Sequence, residues 1–347
     1  MGLILVLAVV VVFAVVQSRN VSATPAPSTE APMESGYPEK WQEGIITYKD
    51  KQYKFNSDIR TYLFLGIDKE TPDTPVNGTA TGGQSDAMFL LVMNEAEKSL
   101  SIISIHRNTM TPVELFGESG TSLGKVKAQI CTQHSFGDGK RLSGSRTVEA
   151  VEYLFRNLPI DGYISVTMGA MPIVNDAVGG VEVTVSEEIV NASAGVHLKA
   201  GETVTLQGAE AYYYLRSRDI DAFDSATNRL RRQEQYIVGL MAKLKEAAKA
   251  GTSNVLQIYE SIEEHMVTNV DMITFISELE AYEYNKENLF TVPGKTVMGE
   301  KFEEYHVDED ALYELIIQVF YEEVFVSSAI QQSTQSVSVT RTPVRTS

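Results

Sequence analysis

Two segments in the first third of the chain are almost entirely apolar. Residues 61–67 (TYLFLGI) and 87–93 (AMFLLVM) form near-continuous apolar runs, which are typical of strands covered on both faces. Residues 100–105 alternate serine with isoleucine or leucine and predict a third strand. The polar residues 94–99 (NEAEKS) predict the turn between the second and third strands. The pattern therefore predicts a buried sheet that contains a hairpin.

The rest of the chain alternates between helical and strand patterns. Helices are predicted over residues 147–158, 170–176, 208–215 and 228–249, and short strands over 163–167 and 181–185. Asp308 is the predicted N-cap of a further helix over residues 309–321, which has acidic residues in its first turn. Strands interleaved with helices predict an α/β fold with a mixed central sheet.

The two ends of the chain have a different character. The first sixteen residues are apolar or glycine. As a helix they would reach ~24 Å, which is less than the ~30 Å that a helix of ~20 residues spans across a bilayer. We interpret residues 1–17 as a signal anchor or as a signal peptide cleaved near Ala23, with a buried helix as the third reading. Residues 18–40 predict a disordered tether, and residues 327–347 a disordered tail. Residues 41–326 are predicted to form a single domain.

Composition narrows the classes of function. The chain has 347 residues and a formal net charge of −17, which argues against nucleic acid as a partner. Cys131 is the only cysteine, so neither an internal disulfide nor a cysteine-based zinc site can form. Because the net charge is so negative, any anion site in this chain must gather its positive charge locally.

The hairpin places two charged residues opposite each other. With its turn centred between Ala96 and Glu97, Asp86 lies opposite Arg107 at the open end. Asp68 ends the preceding strand and joins them if that strand lies beside the hairpin. Two carboxylates and a guanidinium at the rim of a sheet suit Mg²⁺ holding a phosphate, but a simple Asp86–Arg107 ion pair is the alternative.

Two polar residues extend the apolar stripe of the long helix. Stepping back by helical spacing from Leu244 and Leu240 leads to Gln233 and then Arg229, whereas Arg231 falls on another face. An inward arginine needs partners, either a bound anion or a buried acidic side chain. Both remain open at this point.

Further arginines lie immediately upstream of this helix. Arg216 and Arg218 are two residues apart, so their side chains point the same way in an extended segment. Together with Arg229 they would form a cluster of forked donors that matches phosphate oxygens. Such a cluster in a chain this acidic indicates an anion site.

An ordered set of short motifs resembles the catalytic domain of the LytR–CpsA–Psr family. The motifs span a core of about residues 62–244. They are 65–68 (LGID), 85–86 (SD), 104–109 (SIHRNT), 176–181 (DAVGGV), 206–211 (LQGAEA), 215–218 (LRSR) and 229–233 (RLRRQ). The resemblance implies an α–β–α sandwich that holds a polyprenyl chain in an apolar tunnel.

The resemblance also implies roles for individual residues. Asp68 and Asp86 would hold Mg²⁺ and, with Arg107, form the catalytic set. The implied pyrophosphate ligands are Arg107, Arg216, Arg218, Arg229, Gln233 and Lys125, with Lys127 as the alternative to Lys125. The implied reaction moves a phospho-glycopolymer, teichoic-acid-like or capsular, from an undecaprenyl-pyrophosphate carrier to a peptidoglycan sugar hydroxyl. The domain would lie outside the cell membrane on a single N-terminal anchor, or be secreted.

The chain also departs from the family pattern. Glu70 and Gln84 stand where basic residues are frequent, His106 stands in place of a common proline, and Asn108 in place of a frequent aspartate. Asn108 cannot serve as a base, so no general base is assigned. Two other functions remain open: a lipid-pyrophosphate phosphohydrolase and a non-catalytic polyprenyl-phosphate-binding or regulatory envelope protein.

Overall fold

The computed structural model describes residues 44–72, 82–117, 119–219, 222–279 and 281–324. The predicted leader (1–17), tether (18–40) and tail (327–347) lie outside the described residues. Within the described ranges, none of the helices combines the length and apolarity needed to cross a bilayer.

Strands account for many of the elements along the chain. They are β1 Ile45–Tyr48, β2 Lys51–Phe55, β3 Ile59–Ile67, β4 Ser85–Asn94, β5 Ser99–Ile105, β6 Met110–Phe116, β7 Ser122–Gln129, β8 Gly162–Thr167, β9 Val181–Thr184, β10 Ile189–Asn191, β11 Val196–Leu198, β12 Thr203–Leu206, β13 Met266–Thr268, β14 Glu283–Thr291, β15 Gly294–Met298, β16 Glu303–Val307 and β17 Tyr321–Glu323. The helices are α1 Arg141–Leu154, α2 Ala170–Ala177, α3 Ala209–Arg216, α4 Ser225–Ala250, α5 Thr252–Ile262, α6 Met272–Glu278 and α7 Glu309–Phe320.

A six-stranded mixed sheet forms the centre of the fold, in the order β13-β8-β3-β4-β5-β14. Strand β4 is antiparallel to its two neighbours β3 and β5, whereas β8 runs parallel to β3 and β14 runs parallel to β5. The carboxyl ends of β3, β5, β8 and β14 therefore meet the amino end of β4 at one edge of the sheet. The candidate site lies at this edge.

Both faces of the sheet are covered, as the apolar runs in β3 and β4 predict. One face packs against α2 to α6, through residues such as Phe64, Phe89 and Leu240. The opposite face packs against α1 and α7, through residues such as Leu65 and Leu90. The predicted α–β–α sandwich with a mixed sheet is confirmed.

The predicted elements agree with the structure, with informative differences at their ends. Helix α1 begins at Arg141, six residues before the predicted start, because the Asp138 carboxylate accepts the backbone N–H groups of Leu142 and Ser143. It ends before Arg156 and Asn157, which both have a φ of 60°. The left-handed backbone at these two residues cannot continue an α-helix.

One predicted strand lies outside the central sheet. The predicted strand over residues 181–185 is β9, which pairs with β12 in a separate two-stranded sheet. Two further antiparallel pairs, β6–β7 and β15–β16, follow strands of the central sheet and contact each other through β6 and β16. They flank the edge of the sheet where the site lies.

Candidate functional site

The hairpin between β4 and β5 has the register expected from its sequence. Met88 pairs with Ile105 and Phe89 with Ser104, so extending this register brings Asp86 opposite Arg107. Arg107 Nε donates a hydrogen bond of 2.6 Å to Asp86 Oδ1, and the Asp86 side chain is fully buried. The predicted contact is therefore confirmed, and the two charges lie at the edge of the sheet.

Asp68 joins this pair because β3 runs antiparallel to β4. Its backbone N–H donates to Gln84 O at 3.1 Å, and its carboxylate accepts the Gln84 N–H. Arg107 Nη2 donates in turn to the Gln84 side-chain oxygen. Burial, and then the nearby charge of Asp86, raise the pKa of Asp68 to about 7. The carboxylates of Asp68 and Asp86 are thus close enough to repel each other.

Helix α4 brings a second guanidinium to the same aspartate. Arg229 is 1% exposed, and its Nη1 lies 3.7 Å from Asp86 Oδ2. The pKa of Arg229 is lowered to about 9, mainly by burial, with Asp86 acting to raise it and Arg107 and Arg218 acting to lower it. The sequence left open whether Arg229 pairs with a buried acidic side chain. The structure shows that Asp86 is such a partner, and Asp86 is itself a candidate site residue.

Gln233 follows Arg229 by one helical turn and is equally buried, at 1% exposed. Its Nε2 group has no hydrogen-bond partner among the residues that the structure describes. A buried amide without a partner loses free energy relative to water, so a ligand oxygen would satisfy it. Together with Arg229, it forms the wall of the site contributed by α4.

The two arginines of the segment after α3 have different surroundings. Arg218 Nε donates to Ser225 Oγ at 2.9 Å, and burial followed by the Arg107 charge lowers the Arg218 pKa. Arg216 instead donates to the hydroxyl of Tyr212, which donates to Glu70 at 2.8 Å. Arg218 therefore belongs to the cluster around Asp86. The described contacts of Arg216 lead instead through Tyr212 to Glu70.

Neither candidate lysine contacts this cluster. Lys125 and Lys127 are exposed on β7, and Lys125 Nζ lies 5.5 Å from the centre of the Tyr153 ring. Along β7, Lys125 is ~13 Å from Gln129 at the site end of the strand. The structure thus places Lys125 on the outer part of the β6–β7 ribbon, and its binding role stays a prediction.

Arg232 is a site-supporting residue that the sequence analysis missed. It is 2% exposed, its Nε donates to Tyr214 O at 2.9 Å, and its guanidinium also contacts Ser217 O and Glu187. These bonds fix the segment from which Arg218 projects. The available signal was helical spacing, since Arg232 lies one turn before the apolar, buried Tyr236.

His106 precedes Arg107, and its ring is held by Asn108 and Tyr305. Its Nδ1 accepts the Asn108 N–H at 3.1 Å, and its ring stacks on Tyr305 with centroids 4.5 Å apart. Burial, then the charges of Arg107 and Arg229, lower the His106 pKa to about 3, so the ring is neutral near pH 7. Asn108 is also buried and accepts a hydrogen bond of 3.0 Å from Arg107 Nη1.

Together these contacts form a cluster of guanidiniums with two acidic groups at its base, which makes it a candidate anion site. Three guanidiniums, those of Arg107, Arg218 and Arg229, surround Asp86, with Asp68 beside it. Across the described ranges, no group of three or more histidine, cysteine, aspartate or glutamate side chains could hold a metal. Two carboxylates nevertheless fit Mg²⁺, which commonly takes one or two carboxylates and completes its shell with phosphate oxygens and water.

A first prediction concerns Arg229. Replacing it with methionine is expected to leave the ligand-free protein at least as stable, because burial and two other guanidiniums oppose its charge and Asp86 keeps its bond to Arg107. Affinity for a polyprenyl pyrophosphate is expected to fall by roughly 10–100-fold. Thermal melts with and without that ligand measure both effects.

The matched control is Arg231→Met on the same helix. Arg231 is exposed, and its Nη1 lies 3.4 Å from the Asn228 side chain. Neither stability nor affinity should change in this variant. A large loss of stability in Arg229→Met with unchanged affinity would show that Arg229 is a structural ion-pair residue.

Sequence comparison identifies relatives of the chain. The LytR_cpsA_psr family model matches residues 28–318. The chain is 29% identical over 213 residues to a Bacillus subtilis protein named polyisoprenyl-teichoic acid–peptidoglycan teichoic acid transferase TagV. That match covers 60% of this chain but only 49% of TagV, so the chain spans about half the length of this relative.

A second relative and a solved structure agree with this result. An Enterococcus faecalis protein with the corresponding name, TagU, is 28% identical over 233 residues, covering 67% of this chain and 69% of the relative. The crystal structure of B. subtilis TagV superposes with a TM-score of 0.58 at 24% identity, covering 76% of this chain and 96% of that one. The structural likeness establishes the shared fold.

Proposed function

Because the chain belongs to the LytR_cpsA_psr family, we propose that it is a glycopolymer transferase. It would move the glycopolymer with its phosphate from a polyprenyl-pyrophosphate carrier to a peptidoglycan sugar hydroxyl. The names of its relatives, which are teichoic acid transferases acting on peptidoglycan, support this class of reaction. A teichoic-acid-like or capsular polymer is the proposed cargo.

One observation carries the proposal: three arginines gather around one buried aspartate in a chain of net charge −17. The three positive charges of Arg107, Arg218 and Arg229 outnumber the negative charges that Asp86 and Asp68 can carry. This excess favours the binding of an anion. Guanidiniums bind phosphate oxygens through paired donors. A pyrophosphate would also offer oxygens to the unsatisfied Nε2 of Gln233.

We propose that Asp68 and Asp86 hold Mg²⁺ when the donor is bound. Asp86 Oδ2 is buried and makes no hydrogen bond among the described residues, and its one recorded contact is the 3.7 Å ion pair with Arg229, so it could also serve as a ligand atom. Burial and mutual repulsion disfavour two charged carboxylates here, as the raised pKa of Asp68 indicates. A bound divalent cation would offset part of the negative charge of the two carboxylates and of the phosphate oxygens.

In the proposed reaction, the acceptor hydroxyl oxygen bonds to the phosphorus that carries the glycan. The bond from that phosphorus to the bridging oxygen breaks, and the lipid leaves as its monophosphate, with the hydroxyl proton released to solvent. Arg107, Arg218 and Arg229 bind the pyrophosphate and neutralise charge as it develops on the bridging oxygen. Neutral His106 and Asn108 hold Arg107 in place and take no proton.

The apolar leader and the tether support a location outside the cytoplasmic membrane. We propose that residues 1–17 keep the domain attached to the membrane on its outer side, with secretion after cleavage as the alternative. Lipid-linked donor and peptidoglycan would then be on the same side as the site.

The decisive experiment supplies a donor labelled in its sugar, with and without peptidoglycan. We expect label to move onto peptidoglycan and lipid monophosphate to be released only when the acceptor is present. Release at the same rate with water alone would indicate a phosphohydrolase, and tight binding without release would indicate a binding module. Arg107→Gln should lose transfer, whereas Arg231→Gln should retain it.

A further inference from the structure

Glu303 is a buried glutamate beside the arginine cluster, and one of its carboxylate oxygens has no hydrogen-bond partner. The residue lies at the start of β16 and is 8% exposed. Its Oε1 accepts the Asp224 N–H at 2.6 Å. Its Oε2 is buried and makes no hydrogen bond to any residue that the structure describes. A buried carboxylate oxygen without a donor costs free energy, and a role in binding or catalysis would account for it.

Three attachments hold the Glu303 carboxylate in one position. The Gln129 side chain donates from Nε2 to the Glu303 backbone oxygen at 2.8 Å. Glu303 also pairs with Met298 across the β15–β16 ribbon. The Asp224 N–H then fixes Oε1, which leaves Oε2 in a constant direction. Groups that react with a substrate are commonly held in place in this way.

The Glu303 carboxylate lies next to Arg218. Asp224 is followed by Ser225, whose Oγ accepts a hydrogen bond of 2.9 Å from Arg218 Nε. Glu303 and Arg218 therefore bind adjacent residues at the start of α4. Burial and the charge of Arg107 lower the pKa of Arg218, and the charge of Glu303 acts in the opposite direction. A phosphate bound by Arg218 would thus lie near Glu303.

The neighbouring groups that could accept a proton are already engaged. Asp224 accepts hydrogen bonds from the hydroxyls of Thr227 and Thr296. His106 accepts a backbone N–H at Nδ1, and burial lowers its pKa to about 3. The two carboxylates proposed to hold Mg²⁺ would be poor proton acceptors while they bind the cation. Glu303 differs from these groups because one oxygen is fixed and the other is open.

We propose that Glu303 is the general base of the transfer reaction. Its Oε2 accepts the proton of the acceptor hydroxyl while the hydroxyl oxygen bonds to the phosphorus that carries the glycan. The bond from that phosphorus to the bridging oxygen breaks, and its electron pair leaves with the lipid monophosphate. Glu303 passes the proton to solvent after the product departs. This role rests on the proposed transfer function.

The substitution Glu303→Gln removes the base with little change in structure. The glutamine oxygen can still accept the Asp224 N–H, whereas the amide nitrogen cannot take a proton. We expect kcat for transfer to peptidoglycan to fall roughly 10²–10⁴-fold. The dissociation constant for the donor should stay the same or decrease, because a negative charge near Arg218 is removed. Native kcat in this variant would overturn the proposal.

The matched control is Glu304→Gln on the same strand. Successive side chains of a strand point to opposite faces, and Glu304 Oε2 lies 2.7 Å from His306 Nε2. This variant should keep native kcat and native donor affinity. If it lost as much transfer as Glu303→Gln, the loss would reflect negative charge on β16 in general, and the role of Glu303 as base would be refuted.

The substitution Glu303→Ala separates a proton acceptor from a structural contact. Formate is a small carboxylate that can enter the space left by the side chain and take the proton. With donor saturating, formate should raise the kcat of Glu303→Ala about tenfold and leave Glu304→Gln unchanged. Absence of this rescue, or a loss of donor affinity with kcat retained, would make Glu303 a structural support of α4 and contradict the proposal.

Failure of the transfer function itself would give a different result. If the native chain moved no label from the donor to peptidoglycan, both the transfer function and the role of Glu303 would be wrong. Native transfer together with native kcat in Glu303→Gln would refute the role of Glu303 alone.

Discussion

Replacing Asp86 with asparagine is expected to lower turnover by roughly 10²–10³-fold and the free energy of unfolding by about 3–5 kcal/mol. Asp86 contacts both Arg107 and Arg229, and its side chain is fully buried. Without its charge, the repulsion among these two guanidiniums and Arg218 would be opposed less, because the pKa of Asp68 is raised and Glu303 acts on Arg218. Denaturant unfolding and donor turnover per folded molecule measure the two effects.

Asp68→Asn provides the contrast, because the two aspartates differ in their surroundings. In the folded protein the pKa of Asp68 is about 7, above the ordinary 3.8, so its contribution to stability is present at low pH and is lost as pH rises through about 7. In the presence of chelator at pH 8, Asp68→Asn should therefore be as stable as the native chain or more so. Its turnover should still fall. Native turnover per folded molecule in Asp86→Asn would be inconsistent with the proposed site.

The second large effect is expected at Arg232, where methionine should lower the free energy of unfolding by about 2–4 kcal/mol. Its guanidinium donates to the buried carbonyl of Tyr214 and to the half-buried carbonyl of Ser217, and methionine would leave both without this donor. The segment that carries Arg218 would also lose its support. Binding of polyprenyl pyrophosphate should weaken in parallel, as calorimetry can measure.

Glu187→Gln separates the carbonyl bonds from the ion pair that Arg232 also makes. The Glu187 side chain is 43% exposed, so its contribution should stay within about 1 kcal/mol. If Glu187→Gln destabilised the protein as much as Arg232→Met, the ion pair and not the bonds to α3 would hold this segment.

The part of the site that the sequence predicted depends on local geometry. The β4–β5 register follows from one short turn, and it fixed the Asp86–Arg107 contact without knowledge of the rest of the fold. Helical spacing on α4 likewise placed Arg229 and Gln233 inward and Arg231 outward. In both cases the period of a single element determines the direction of the side chain.

The remaining parts depend on pairings between distant segments. Strand β14 is polar over most of its length (EYNKENLFT) and shifts register between Tyr284 and Leu289, so it lacks a strand pattern. The β15–β16 pair brings Glu303 to the site from more than fifty residues beyond α4. The position of Lys125 is likewise set by tertiary packing, whereas the partner of Arg216, Tyr212, lies one helical turn before it and follows from helical spacing.

The order of strands in the central sheet has a consequence for how the protein folds. Strand β3 pairs with β8 about 100 residues later, and β5 pairs with β14 about 180 residues later, both in parallel. Such distant pairings form slowly, whereas the β3–β4–β5 meander closes through much shorter connections. Asp86 and Arg107 can thus meet early, while Arg229 and Glu303 arrive with the last elements to dock. After dilution from denaturant, affinity for pyrophosphate should return only with the slowest refolding phase. Protection of the β4–β5 amide hydrogens from exchange should recover well before that phase.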